Sequence, residues 1–232
     1  MRIHYLQHVP FENPGTILTW AKINGYPVTC TRFYENTALP DVNAFDWLVI
    51  MGGPMNIYEE EKYPWLALEK AFIRKAVESD RLIIGLCLGA QLIADVIGGR
   101  VVQNKEKEIG WFSVTLTKEA RSLPVFSHLP ENPVVFEWHG DTFIDLPKGT
   151  TLLAYNEVCT NQAFVYGTRI FGFQFHLENT EEIISALVKN CKEEMVTAPF
   201  IQKEEEILAG TEYMMQDNKW MELFLTKLAV LV

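Results

Sequence analysis

The stretch LIIGLCLGAQLIADVIGG, residues 82–99, sets Cys87 between Gly85 and Gly89 where an all-apolar run meets an amphipathic one. That order reads as strand, tight turn and helix, the layout of a nucleophile elbow with cysteine in place of serine. Flanking glycines suit a turn that leaves no room for a Cβ. A thiolate at a helix N-terminus meets unpaired N–H groups and the positive end of the helix dipole, and both lower its pKa. Such a nucleophile needs a base. FGFQFHLEN places His176 at the end of an apolar run with Glu178 two residues on, so a continuing strand would put both side chains on one side. Glu178 could there orient the imidazole and stabilise its cation. Taken singly, each piece has a plainer reading, an ordinary strand-to-helix turn or a structural histidine. Together Cys87, His176 and Glu178 describe acyl transfer through a thiol.

The elements that must position these groups follow from the hydrophobic pattern. RIHYLQH (2–8) reads as a strand, 14–25 as a helix closed by Gly25, and YPVTCTRF as a second strand. DWLVIMGGP (46–54) is a strand ending in a glycine turn, followed by an acidic surface loop over 55–63. A helix over 65–79 has an apolar face of Leu66, Ala67, Ala71, Phe72 and Ala76, and RLIIGL is a strand buried on both faces. The β-α-β-α-β order predicts an α/β fold with a doubly wound, mostly parallel central sheet flanked by helices. Beyond Gly99, the runs WFSVTLT, PVVFEWHG, TTLLAYN, QAFVYG and RIFGFQFH predict additional β structure in the second half, with His139 in a loop. Asn179 is expected to cap a further helix with Glu182 as its capping-box partner, and Ile183, Leu187, Val188 and Cys191 share a face of it. The tail reads as helical. Trp220, Met221, Phe224, Leu225 and Leu228 recur at helical spacing, a stripe for packing on the same domain or for docking a partner or a second copy. The reading is one domain over 1–192 and a helical C-terminal extension over 193–232 packed on it.

The 232 residues are 48% hydrophobic and 22% charged, with a formal net charge of -10. That balance, with no basic stripe, argues against nucleic acid or an acidic membrane surface as partner. No apolar run reaches the ~18 residues of a membrane span, and MRIHYLQHVP lacks the layout of a signal peptide, so a cytoplasmic protein is expected. Cys30, Cys87, Cys159 and Cys191 are scattered without a CxxC pair, which suggests neither zinc cage nor disulfide framework. Cys30, Cys159 and Cys191 read as small core residues. No cofactor and no metal are expected.

The combination of GLCLGAQ, MGGP and FQFHLE in this order resembles the class I, or triad, glutamine amidotransferases. Within that family GGPMNIYEEEKYPWL, KEIGW and WHGDTF are most similar to stand-alone relatives of the GMP-synthase glutaminase domain. The resemblance implies hydrolysis of the glutamine side-chain amide to glutamate and ammonia at a Cys87–His176–Glu178 triad, through a glutamyl thioester. It implies an oxyanion hole from the N–H groups of Gly53 and Leu88, and substrate contacts from Met55, Gln91 and the segment Trp138, His139, Gly140 and Asp141. Gln91 lies one helical turn beyond Cys87, on a facing position. Two departures stand out. Leu177 occupies the place between catalytic histidine and glutamate where many members carry proline, which loses a fixed φ that would help hold Glu178. Trp138 stands where smaller or polar residues are common.

Three functions stay open at this level. A glutaminase subunit would pass ammonia to a synthetase, which must be a separate protein because the chain has no SGGxDS-type loop and no Walker A motif. A γ-glutamyl peptidase would use the same thioester with a substituted amine as leaving group, and Trp138 would offer it an aromatic wall. A catalytically silent binding protein on the same fold is the third.

Overall fold

The computed structural model describes residues 1–231, whose elements run β1 (Ile3–Gln7), α1 (Thr16–Ile23), β2 (Val28–Arg32), β3 (Trp47–Ile50), α2 (Trp65–Glu78), β4 (Leu82–Leu86) and α3 (Leu88–Ile97). They continue through β5 (Arg100–Ser113), β6 (Thr115–Leu116), α4 (Lys118–Ser122), β7 (Val134–Ile144), β8 (Thr150–Tyr155), β9 (Ala163–Tyr166), β10 (Ile170–Phe173), α5 (Glu181–Asn190), α6 (Glu204–Leu208) and α7 (Thr211–Leu231). Eight strands form one sheet in the order β2-β1-β3-β4-β10-β9-β8-β6. The five from β2 to β10 are parallel, and β9, β8 and β6 extend the sheet antiparallel. This is the α/β class with a large, mostly parallel sheet that the element order predicts, with β structure added in the second half and a helix at the C-terminal end.

Strand alternation sorts the core into two layers. Ile3, Tyr5, Trp47, Val49, Leu82 and Ile84 face α1 and α7, whereas Leu6, Leu48, Ile50 and Ile83 face α2 and α3. The tail stripe is covered by the chain's own sheet: Phe224 packs 5.3 Å from Phe171 and 5.4 Å from Phe173, and Trp220, Met221, Leu225 and Leu228 are buried with it. That stripe is therefore not a docking face for a second copy. No described helix is long and apolar enough to cross a membrane.

Three expectations need correction. His139 lies on β7, not in a loop, because residues 100–113 and 134–144 form a long two-stranded ribbon. The first half of β5, VVQNKEKE, has no clean alternation because it runs half-exposed and shifts register between Gln103 and Glu108. The residue that caps α5 is Thr180, whose side chain accepts a hydrogen bond from the Ile183 N–H, not Asn179. Cys30 is exposed, since β2 is the sheet's edge strand and turns part of its length to solvent, while Cys159 and Cys191 are buried.

Candidate active site

The parallel strands end together, and the residues just past their C-terminal ends converge, the usual place for a site in an open α/β sheet. β1 leads to His8 and Glu12, β3 to Gly52 and Gly53, β4 to Cys87, and β10 to Gln174 and His176. In register, Phe173 pairs with Leu86, and the Cys87 N–H donates to the Phe173 carbonyl at 2.8 Å.

Cys87 is the N-cap of α3 and holds φ 50°, ψ -106°. A non-glycine residue at such an angle is strained by about 1–3 kcal/mol and persists only where its surroundings enforce it. Enforcement comes from the glycines. A Cβ on Gly85 would come within 2.6 Å of the Gly89 backbone, and one on Gly89 would collide with the Ile50 carbonyl. β4 and α3 therefore meet at a distance only glycine allows.

Around the thiol, Sγ donates to the Trp138 carbonyl at 3.5 Å, and Gln174 Nε2 donates to Sγ at 3.7 Å. Burial pushes the Cys87 thiol up, while its interaction with His176 and the Leu88 N–H pull it down. The helix-terminus effect is thus present but does not outweigh desolvation. For His176 burial pulls the imidazole down, yet the Glu178 charge and the Cys87 thiol outweigh it and hold the ring well above its usual value. His176 Nδ1 lies 2.7 Å from Glu178 Oε1, and both residues are buried.

β10 ends at Phe173, so the pair is not held by sheet continuation. A single bridge to Phe136 replaces it, in which the His176 N–H donates to the Phe136 carbonyl at 2.8 Å. Glu178 is fastened from two other sides. Its carbonyl accepts from the Thr16 N–H at 3.0 Å, and Asn218 of α7 donates to the carbonyls of Leu177 and Asn179 at 3.1 and 2.8 Å. The rigidity that Leu177 does not supply comes from α1 and from the C-terminal helix.

The Gly52–Gly53 turn is aimed from behind. His8 Nδ1 donates to the Gly52 carbonyl at 2.8 Å, and its Nε2 meets the buried Glu69 Oε1 at 2.9 Å. Burial pulls His8 down, but the Glu69 charge leaves it raised overall, so both ring nitrogens donate. In a trans peptide the carbonyl and the next N–H point oppositely, so pinning the Gly52 oxygen turns the Gly53 N–H the other way. Gly53 and Leu88 are neighbours: a Cβ on Gly53 would stand 3.1 Å from Leu88 Cδ2.

A cavity of about 560 Å³ opens over these groups, lined by Gly53, Met55, Cys87, Gln91, Trp138, His139, Gly140, Asp141 and His176 among others. Leu88 and Glu178 lie behind its wall. Gln91 is buried, not solvated, and donates to the Asp141 carbonyl and to Gln174 Oε1, each at 3.2 Å. The acidic loop forms a further wall, where the Tyr58 hydroxyl donates to Asp141 at 2.9 Å. Sequence reasoning missed Gln174, Glu12, His8 and Asn218. Gln174 had a signal, since it precedes His176 and Glu178 on the same two-residue spacing. The other three arrive from distant segments.

A second grouping of the same residue types lies nearby. Ligand atoms of Glu108, His139 and Cys159 lie within 4.8 Å of one another, a donor set that could hold a metal. These donors already have partners. Glu108 accepts from Asn156 at 2.6 Å and Gln162 at 2.9 Å and meets His139 Nε2 at 3.1 Å, while Cys159 contacts Thr142 Oγ1 at 3.1 Å.

The profile of the family "Glutamine amidotransferase class-I" matches residues 19–192. The chain is 36% identical to the glutamine amidotransferase-like protein YfeJ of Salmonella typhimurium, over 95% of each chain. It is 36% identical to a subunit of the glutamine-hydrolyzing GMP synthase of Thermoplasma acidophilum, over 60% of this chain and 66% of that one. It is 28% identical to gamma-glutamyl peptidase 3 of Arabidopsis thaliana, over 64% of this chain and 60% of that one. A crystal structure of a glutamine amidotransferase from Thermotoga maritima superposes with a TM-score of 0.87 at 28% identity, over 98% of this chain and 97% of that one.

Proposed function

The chain belongs to the class-I glutamine amidotransferase family, and from that premise we propose that it hydrolyses the side-chain amide of glutamine to glutamate and ammonia. The observation that carries the proposal is the strained Cys87 at the N-terminus of α3, facing a cavity beside a His176 that is itself bound to Glu178. His176 takes the thiol proton, and Cys87 Sγ attacks the amide carbon. The N–H groups of Gly53 and Leu88 receive the oxyanion, each such donor stabilising the tetrahedral state by about 3 kcal/mol. His176 returns the proton to the nitrogen, the C–N bond breaks, ammonia leaves, and a glutamyl thioester remains. Water, deprotonated by His176, then cleaves the S–C bond and regenerates the thiol. Gln91, Met55 and the segment Trp138–Asp141 hold the glutamyl part.

In this reading the ammonia passes to a synthetase on a separate chain, as the similarity to a GMP synthase subunit suggests. A second reading is supported by the cavity. About 560 Å³ lies within the range of pockets for ligands of drug-like size. Such room suits a γ-glutamyl peptide or conjugate, whose leaving group is a substituted amine. The two are separated by kcat/KM of the isolated protein on glutamine and on γ-glutamyl dipeptides. Glutamine turnover at least equal to that of the peptides is expected. A peptide advantage of more than about tenfold, about 1.4 kcal/mol in transition-state binding, would make the peptidase the function.

A further inference from the structure

Glu12 has no part in the chemistry above, yet it stands inside the site. It lies in the loop between β1 and α1, is only 6% exposed, and lines the cavity. Its position depends on Gly52. A Cβ on Gly52 would collide with Glu12 Oε2 and stand 3.2 Å from His176 Cε1 and 3.6 Å from Cys87 Cβ. Carboxyl, imidazole and the Cys87 side chain therefore meet over the one residue of the oxyanion turn that leaves them room.

Glu193 lines the rim and is exposed to solvent, whereas the other acids in or behind this wall are engaged. Glu178 holds His176 Nδ1, Glu194 meets Lys107 at 2.6 Å and Trp138 Nε1 at 3.3 Å, and Asp141 accepts from Tyr58. Among the described residues Glu12 has no side-chain hydrogen bond acting on its carboxyl. Burial lifts it to about 7, charges on His176 and His8 pull it down, and Glu178 and Glu194 add to the rise. A carboxyl so buried and without a partner is costly unless a bound molecule completes it.

Which part of a substrate meets Glu12 follows from the reaction, so the inference rests on Cys87 being the nucleophile. With the carbonyl oxygen between Gly53 and Leu88, the scissile nitrogen must face His176 to receive its proton. The Glu12 carboxyl and the Cε1 edge of that ring border the same space over Gly52, which is on the nitrogen side. We propose that Glu12 is the leaving-amine subsite, its carboxylate accepting a hydrogen bond from the N–H of the departing amine and, in reverse, from a primary amine that attacks the thioester in place of water. In that reverse step the amine nitrogen bonds to the acyl carbon, the S–C bond breaks, His176 takes one proton from nitrogen, and the proton returns to the Cys87 thiolate.

Hydroxylamine is the probe. Supplied with glutamine, it competes with water for the thioester, and the ratio of γ-glutamyl hydroxamate to glutamate reports that competition independently of how much protein is folded. Glu12→Leu, which keeps bulk and removes the acceptor, is expected to lower the ratio about tenfold, the effect of losing one hydrogen bond to a charged group. Glu12→Gln, which keeps a neutral acceptor, should lower it less. If Glu12 acted only through His176, both products would fall together, because both deacylations use the same base. An unchanged ratio in Glu12→Leu overturns the subsite. Wild-type protein that makes neither product overturns the glutaminase reading, and the subsite with it.

Discussion

Two cysteine–histidine–glutamate groupings are buried in this molecule, each with an imidazole paired to a carboxylate, and they differ in how the cysteine is set. Cys87 is held at a positive φ on a helix N-terminus, at a cavity wall, beside a His176 raised by Glu178. Cys159 is fully buried, and burial pushes its thiol to about 12. Its neighbours Glu108 and His139 are tied to Asn156, Gln162 and the Asp141 carbonyl. The difference teaches that reactivity lies in access and in backbone placement. The Glu108 network braces the strand that carries Trp138, Gly140 and Asp141. The Cys87 group opens on the cavity.

The largest expected effect comes from exchanging the two thiols for hydroxyls. Cys87→Ser should lower glutamine turnover by ~10³-fold or more, the loss seen when a triad nucleophile is removed. Cys159→Ser should leave kcat within about threefold. Equal losses would erase the distinction between the clusters.

The two glutamates sharpen it next. Glu178→Gln should cost roughly 10² to 10⁴ in kcat. It should also move the pH profile: the Glu178 charge raises His176, so its removal lets the ring lose its proton at lower pH, and the acid limb of kcat/KM shifts downward. Glu108→Gln should shift no limb. It sets an amide among the donors of Asn156, Gln162 and His139, so it should lower Tm, at a cost of about 1–3 kcal/mol in stability.

How much of this was legible in the sequence depends on how local each feature is. The elbow around Cys87 and the His176–Glu178 pair each fit inside nine residues, so spacing alone exposes them. Short apolar runs between helical patterns likewise expose the sheet from β1 to β4. The first half of β5 hid because Asn104 to Lys107 fall where its pairing with β7 shifts register, a polar, part-exposed run that reads as loop. His8 and Glu69 lie 61 residues apart in sequence, and Asn218 acts on the Glu178 turn from 39 and 41 residues away. No periodicity encodes such meetings. Asn218→Ala tests this hidden brace, and kcat is expected to fall about threefold to tenfold with KM little changed, since two hydrogen bonds that hold Glu178 are lost.

The smallest effect lies behind the site. Asp217 of α7 accepts from the Phe136 N–H at 3.3 Å, and burial lifts its carboxyl to about 9. The native state keeps a proton that the unfolded chain releases near 4, so this group's contribution to stability declines as pH rises between about 4 and 9. Asp217→Asn, which resembles the neutral acid, should leave Tm near pH 5 almost unchanged and raise it at pH 8.5. A variant less stable than wild type at pH 8.5 would contradict the assignment.

The central claim is that the thiol of Cys87, and not that of Cys159, carries the glutamyl group. Its most direct test is to incubate the protein with glutamine, quench in acid, and map the covalent adduct by peptide mass spectrometry. A glutamyl thioester on the peptide containing Cys87, absent from Cys87→Ser and present in Cys159→Ser, is the result expected. An adduct on Cys159, or glutamine turnover that survives in Cys87→Ser, would contradict it.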